Sequence, residues 1–268
     1  MITYCRKLIF RNRFALYLRN FFNIKPVDTY YPTYSKASVS DFFYWESNND
    51  FDTKFMLTNV ASHVIPNFPQ NDKVRIIIFD NLGLIIKSIN YDLSPYETKE
   101  IIFSQLKIKG FGSFFVFHDF DNLNNLLDQG CYIAERGYVG YKRGNNVWNF
   151  MHGNYNACYL TKDLQIKSII SKSLFKQTYA PQVIFNDSLS FKVILNNPTK
   201  NNIDIKIQCY NNLNQIIDTK IKKIDSFNTE IFLFKNQLID FIKINSKILF
   251  CRPIIYKEYQ TYFDIFHG

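Results

Sequence analysis

The chain has 268 residues, a formal net charge of +9, 47% hydrophobic residues and 18% aromatic residues. That length accommodates one large domain or two of ordinary size, and no run approaches the roughly 18 apolar residues of a membrane-crossing helix. Five scattered cysteines, Cys5, Cys131, Cys158, Cys209 and Cys251, contain no CxxC pair; they argue against a disulfide framework or a zinc motif and fit free thiols in a reducing compartment.

Residues 1–25 carry Arg6, Lys7, Arg11, Arg13, Arg19 and Lys25 and no acid, which leaves the remainder close to neutral. The spacing of Phe10, Phe14, Tyr17 and Phe21 predicts a short basic helix with its rings on one face. Arg6 and Arg13 flank one side of that stripe. Such a helix docks on the body of the protein, on a protein partner, or on an anionic membrane with its rings among the headgroups. The arginines also interrupt any signal-peptide core, so the expected location is cytoplasmic, at most peripheral to the inner membrane. The near-neutral body offers little charge for nucleic acid, which is not expected as a partner.

After a Tyr/Pro/Ser linker, Thr53 to Val60 alternates and reads as a strand. Pro66 and Pro69 mark a loop holding His63. Val74 to Phe79, the turn residues Asp80-Asn81-Leu82-Gly83, and Leu84 to Ile89 read as a hairpin. Further strands are expected at Glu100 to Phe103, Phe114 to Phe117, Tyr132 to Ala134, Gly137 to Tyr141, Trp148 to Met151 and Ala157 to Leu160. Ile166 to Phe175 reads as an extended connection. Strands then follow at Ser190 to Asn196, Ile203 to Tyr210, Gln215 to Ile221 and Glu230 to Phe234. Leu238 to Ile244 reads as a short helical turn. Ile248 to Phe250, Ile254 to Tyr256 and Tyr262 to Phe266 complete the chain.

The second half echoes the first. Asp80-Asn81-Leu82-Gly83-Leu84-Ile85-Ile86 returns as Asn211-Asn212-Leu213-Asn214-Gln215-Ile216-Ile217, and each half closes on an Arg followed by His-Gly: Arg136 with His152-Gly153, and Arg252 with His267-Gly268. Ordered landmarks at similar spacing predict an internal duplication. The expected fold is therefore all-β: two tandem immunoglobulin-like antiparallel β-sandwiches, residues 39–162 and 163–268, after a leader and linker over residues 1–38. The strand–turn–strand core of each copy resembles the β-sandwich domain of the sensory rhodopsin transducer family. The resemblance covers a short stretch of each copy and rests on pattern rather than a motif. It implies a ligand- or partner-binding sandwich and assigns no site residues.

Features in one copy only are where a site would be added. The first copy has longer loops, including His118-Asp119-Phe120-Asp121, and Asn154-Tyr155-Asn156 after its Gly153. A ligand site is expected from Arg136, Tyr138, Tyr141, His152, Asn154, His118 and Asp119, with Arg252 and His267 as second-copy equivalents. Arg and His donate to hydroxyls or carboxylates, and tyrosine rings stack on sugars. His118, Asp119, Asp121 and His152 are metal-ligand types without metal-ligand spacing, and Glu46, Asp50 and Asp52 are carboxylates of the kind glycosidases pair. No nucleophile elbow, phosphate loop or dinucleotide fingerprint is present, and no cofactor or metal is expected. The leading expectation is a non-enzymatic binding or accessory protein that recognises carbohydrate or a glycan-assembly partner through loops of the first sandwich. The alternatives are a metal-assisted or acid–base enzyme on a glycan or phosphate ester at the same place, and a protein–protein scaffold. A homodimer is compatible with each.

Overall fold

The computed structural model describes residues 38–64, 70–119, 133–135, 137–161, 163–170, 172–235, 238–248 and 252–268, together with Phe14, Tyr17, Leu18, Phe21 and Phe22. Its described strands, numbered in chain order, form five four-stranded sheets. Sheet A runs β12 (Ile166–Ser168), β11 (Asn156–Leu160), β1 (Ser38–Asp41), β8 (Ile133–Glu135). Sheet B runs β2 (Phe43–Ser47), β7 (Gly110–Asp119), β4 (Asp72–Asp80), β5 (Ile85–Leu93). Sheet C runs β10 (Asn149–His152), β9 (Tyr138–Arg143), β3 (Phe51–Thr58), β6 (Thr98–Ile102). Sheet D runs β13 (Lys172–Tyr179), β18 (Phe241–Ile248), β15 (Ile203–Tyr210), β16 (Ile216–Ile224). Sheet E runs β17 (Thr229–Lys235), β14 (Ser190–Asn196), β19 (Ile254–Glu258), β20 (Phe263–His267).

This architecture corrects the expected pair of immunoglobulin-like sandwiches, and with it the likeness to the sensory rhodopsin transducer domain. Five four-stranded sheets match the blade number and blade size of a five-bladed β-propeller. Strand order inside each sheet is not the sequential meander of a simple blade: β2 lies beside β7, and β14 lies between β17 and β19. One pairing, β1 with β8, is parallel. Among the described residues no helix reaches seven residues, and α1 (Val60–Val64) replaces the start of an expected loop. None is long and apolar enough to cross a membrane. Of the expected basic leader helix, Phe14, Tyr17, Leu18 and Phe21 have helical backbone, while Arg6, Phe10 and Arg13 lie outside the described residues.

Two tandem domains would each close their own core. Here the larger core joins Phe43, Trp45, Phe55, Phe114 and Val139 of sheets B and C with Ile194, Ile254, Tyr256, Phe263 and Ile265 of sheet E. The opposite face of sheet E supplies Phe191, Val193, Leu195 and Ile255 to a second core shared with sheet D. Sheet E is thus buried on both faces, which explains the apolar runs Val-Ile-Leu and Ile-Ile-Tyr in its central strands. Each fully buried Val, Leu, Ile or Phe is worth about 1.5–3 kcal/mol relative to exposure, so these central strands tie the halves into one body. Polar and aromatic contacts cross the same junction: Arg143 donates to Glu258, Asn149 Nδ2 donates to the Phe263 carbonyl at 2.9 Å, and the Phe79 and Phe227 rings stack at 5.1 Å.

The two similar turn sequences adopt the same local bonding. The carboxylate of Asp80 accepts the amides of Leu82 and Leu84, and the side-chain oxygen of Asn211 accepts those of Leu213 and Gln215. Gly83 and Asn214 both take the left-handed conformation the turn requires, at φ of 75° and 60°. The expected helical turn from Leu238 to Ile244 is instead part of β18. Alternate burial along Phe-Ile-Lys-Ile-Asn-Ser-Lys-Ile, between β13 and β15, is strand periodicity.

Backbone packs tightly where β7 passes β4. A Cβ at Gly112 would stand 2.1 Å from the Phe79 carbonyl oxygen, the atom that also accepts the Trp45 indole N–H at 2.8 Å. We expect Gly112→Ala to lower stability by about 1–3 kcal/mol and to alter Trp45 emission. Gly140→Ala meets only the half-exposed, rotatable Phe150 ring and should cost less. Urea unfolding followed by tryptophan fluorescence compares the two, and equal stabilities would contradict the close approach.

Candidate functional site

The alternation of β4 sorts its side chains. Val74, Ile76 and Ile78 enter the core, while Lys73 and Arg75 take the opposite face. The register places Lys73 between Asp92 of β5 and Asp119 of β7, and Arg75 between Asn90 and Phe117. Leu160, Thr161 and Leu164, at and beyond the end of β11, close the other side of a cavity of about 650 Å³. This is the size of a small-molecule site. The Arg75 Nε is buried and has no hydrogen-bond partner among the described residues. A guanidinium stays charged at any physiological pH, and a buried unmatched N–H is costly. Burial pushes the phenol of Tyr91, also on the wall, above its ordinary value.

His118 supports this wall from within. Its Nδ1 stands 2.5 Å from Asp72 Oδ2, and both side chains are closed to solvent. Its backbone N–H donates to Ser38 Oγ. The pair therefore braces β7 against β4 and β1, while its neighbour Asp119 is exposed at the lip of the cavity.

A second group forms where the two halves meet. His152 at the end of β10 and His267 at the end of β20 approach with Nε2 atoms 2.9 Å apart. Asn154 Nδ2 donates to the Arg252 carbonyl at 2.7 Å, and Arg252 Nε donates to the Gly268 carbonyl at 2.7 Å. The His-Gly landmarks that the sequence placed in separate copies are thus neighbours. Arg252 and His267 also line a cavity of about 710 Å³ with Asp187, Lys257, Tyr259 and Asp264.

The other expected site residues scatter. Tyr141 is fully buried, and its hydroxyl donates to the Tyr44 carbonyl at 2.9 Å; burial pushes its phenol well up. Tyr138 is exposed on β9. Arg136 and Asp121 lie outside the described residues. Phe14 and Tyr17 are exposed, and Tyr17 stacks on Phe21 at 6.0 Å. His63 meets the edge of Tyr96 at 5.4 Å. The carboxylates Glu46 and Asp52 bind Tyr44 and Ser104 hydroxyls, so their work is local. Carbohydrate recognition by loops of a first sandwich, and an enzyme placed there, lose their basis because there is no separate sandwich to present those loops. Sequence reading missed Lys73, Arg75, Tyr91 and Asp92. The signal lies in the polar–apolar alternation of Lys73 to Ile76, which puts Lys73 and Arg75 on one face of the strand.

Burial also silences the described thiols. It pushes Cys158 well up and Cys209 up to about 12, so neither is a ready nucleophile. At pH 8 iodoacetamide should leave both unmodified in the folded protein and label both in urea; peptide mass mapping reads this directly. Removing one member of the buried His118–Asp72 pair should cost about 3–5 kcal/mol in His118→Ala, against roughly 0.5 kcal/mol or less for the exposed Asp119→Ala. Chemical denaturation of the two variants checks that ordering. In comparisons with known proteins, no family model matches the chain and no curated protein matches its sequence.

Proposed function

We propose that the protein binds a small anionic molecule in the cavity between the outer face of sheet B and the end of sheet A. The observation that carries this reading is the buried, unmatched Nε of Arg75 on the wall of that cavity. Lys73 adds a second cation on the same face, one register row away. A turn of the Arg75 side chain into the cavity would bring Nε to a carboxylate or phosphate oxygen as the missing acceptor, and an Arg fork recognises such groups with geometric selectivity. Asn90 and Thr161 offer neutral hydrogen bonds beside it, and Phe117, Leu160 and Leu164 an apolar flank. Asp92 and Asp119, opposite Lys73, favour a ligand that is not uniformly acidic: an anionic head with a hydroxyl- or amine-bearing body.

Thermal unfolding in the presence of citrate, malate and inorganic phosphate tests the reading. A ligand at about 100 times its dissociation constant adds about 2.7 kcal/mol, which at this size raises Tm by several degrees. At least one of these anions should raise Tm in the native protein and fail to do so in Arg75→Met. An equal response in Arg75→Met, or none of these anions acting on the native protein, would refute it.

A further inference from the structure

The histidine pair at the junction has a chemistry of its own. The Nδ1 of His152 lies 2.8 Å from the Gly153 carbonyl. A carbonyl only accepts, so this nitrogen carries the proton and Nε2 presents a lone pair toward His267 Nε2, 2.9 Å away; the His267 Nε2–H donates to it, and a cation that replaces this bridging proton leaves it on His267 Nδ1. We infer that His152 and His267 form a two-imidazole site for a borderline divalent cation of the zinc or copper class. Imidazole suits these ions, and a ligating histidine characteristically gives its other N–H to a backbone carbonyl, which fixes its tautomer.

The backbone holds both donors. His152 pairs with Tyr138 across β10 and β9, and His267 pairs with Ile254 across β20 and β19. The ring contact is exposed, so a cation can enter. Two metal–nitrogen bonds of about 2.0–2.1 Å at a tetrahedral angle place the donors roughly 3.3 Å apart. The rings must therefore part by a few tenths of an ångström, a small rotation for side chains at strand ends. Among the described residues no third His, Cys, Asp or Glu completes a cluster. Water or a ligand fills the two remaining positions of a tetrahedral ion, one more than the single open position of a catalytic zinc site. Arg252, held by the carbonyls of Gly268 and Asn154, is a nearby positive charge; it opposes a cation and favours an anionic ligand in an open position.

Titration of the full chain with zinc chloride, by calorimetry, tests the assignment. One zinc per chain is expected, with at least tenfold weaker binding in His152→Gln and in His267→Gln. Glutamine preserves a polar side chain at each position, and thermal melting confirms folding. Nitrogen-15 imidazole NMR of the native protein gives a reading independent of the variants: zinc should shift Nε2 of these two residues and leave His63 and His118 unmoved. Absence of saturable binding, binding that survives both substitutions, or shifts on the other two histidines would overturn the inference.

Discussion

A sheet with two apolar faces has to be covered twice. Sheet E meets that constraint by facing sheets B and C with Ile194, Ile254, Tyr256, Phe263 and Ile265, and sheet D with Phe191, Val193, Leu195 and Ile255. Exposing either face would cost several times the stabilisation of a single buried side chain. The halves therefore cannot separate without uncovering a core, and the chain behaves as one packed body. The aromatic content serves this purpose. Phe51 lies against Tyr256 and Phe263 at 5.7 and 5.3 Å, and Phe79 stacks on Phe227, so rings from the first half close surface belonging to the second.

The polar sites follow from where this packing stops. On the outer face of sheet B the apolar cover extends over Ile77 and Phe79 and ends before Arg75 and Lys73. That unfilled end becomes the cavity, floored by charged side chains and braced from behind by the closed His118–Asp72 pair. At the junction, the ends of β10 and β20 run out together, and their last residues, His152 and His267, face one another. Strand ends hold such side chains at fixed separation while leaving them open to solvent, which favours recognition over burial.

Much of the local structure was legible. Ser190–Asn196 and Ile203–Tyr210 coincide with the strands expected from their apolar content, and the Asp80 and Asn211 turns form the hairpins their residues specify. The strand Phe241–Ile248 is masked in the sequence by the apolar residues that begin three positions earlier at Leu238 and suggest a helical turn. Of the expected ligand residues, Asn154, Arg252, His152 and His267 converge. Tyr141 goes to the core, because a tyrosine at an inward strand position looks identical in sequence to one at an outward position.

The sequence by itself determined the all-β character, many of the strands, the Asp80 and Asn211 hairpin turns, and the two His-Gly pairs His152-Gly153 and His267-Gly268. These depend on residues close together in the chain, on side-chain period and on turn chemistry. Only the tertiary structure decided that the halves share a doubly buried sheet, that Lys73 and Arg75 face a cavity, and that His152 meets His267 across 115 positions of chain. An apolar run records that both faces are covered and carries no record of what covers them. Partners distant in sequence are selected by packing of the whole body.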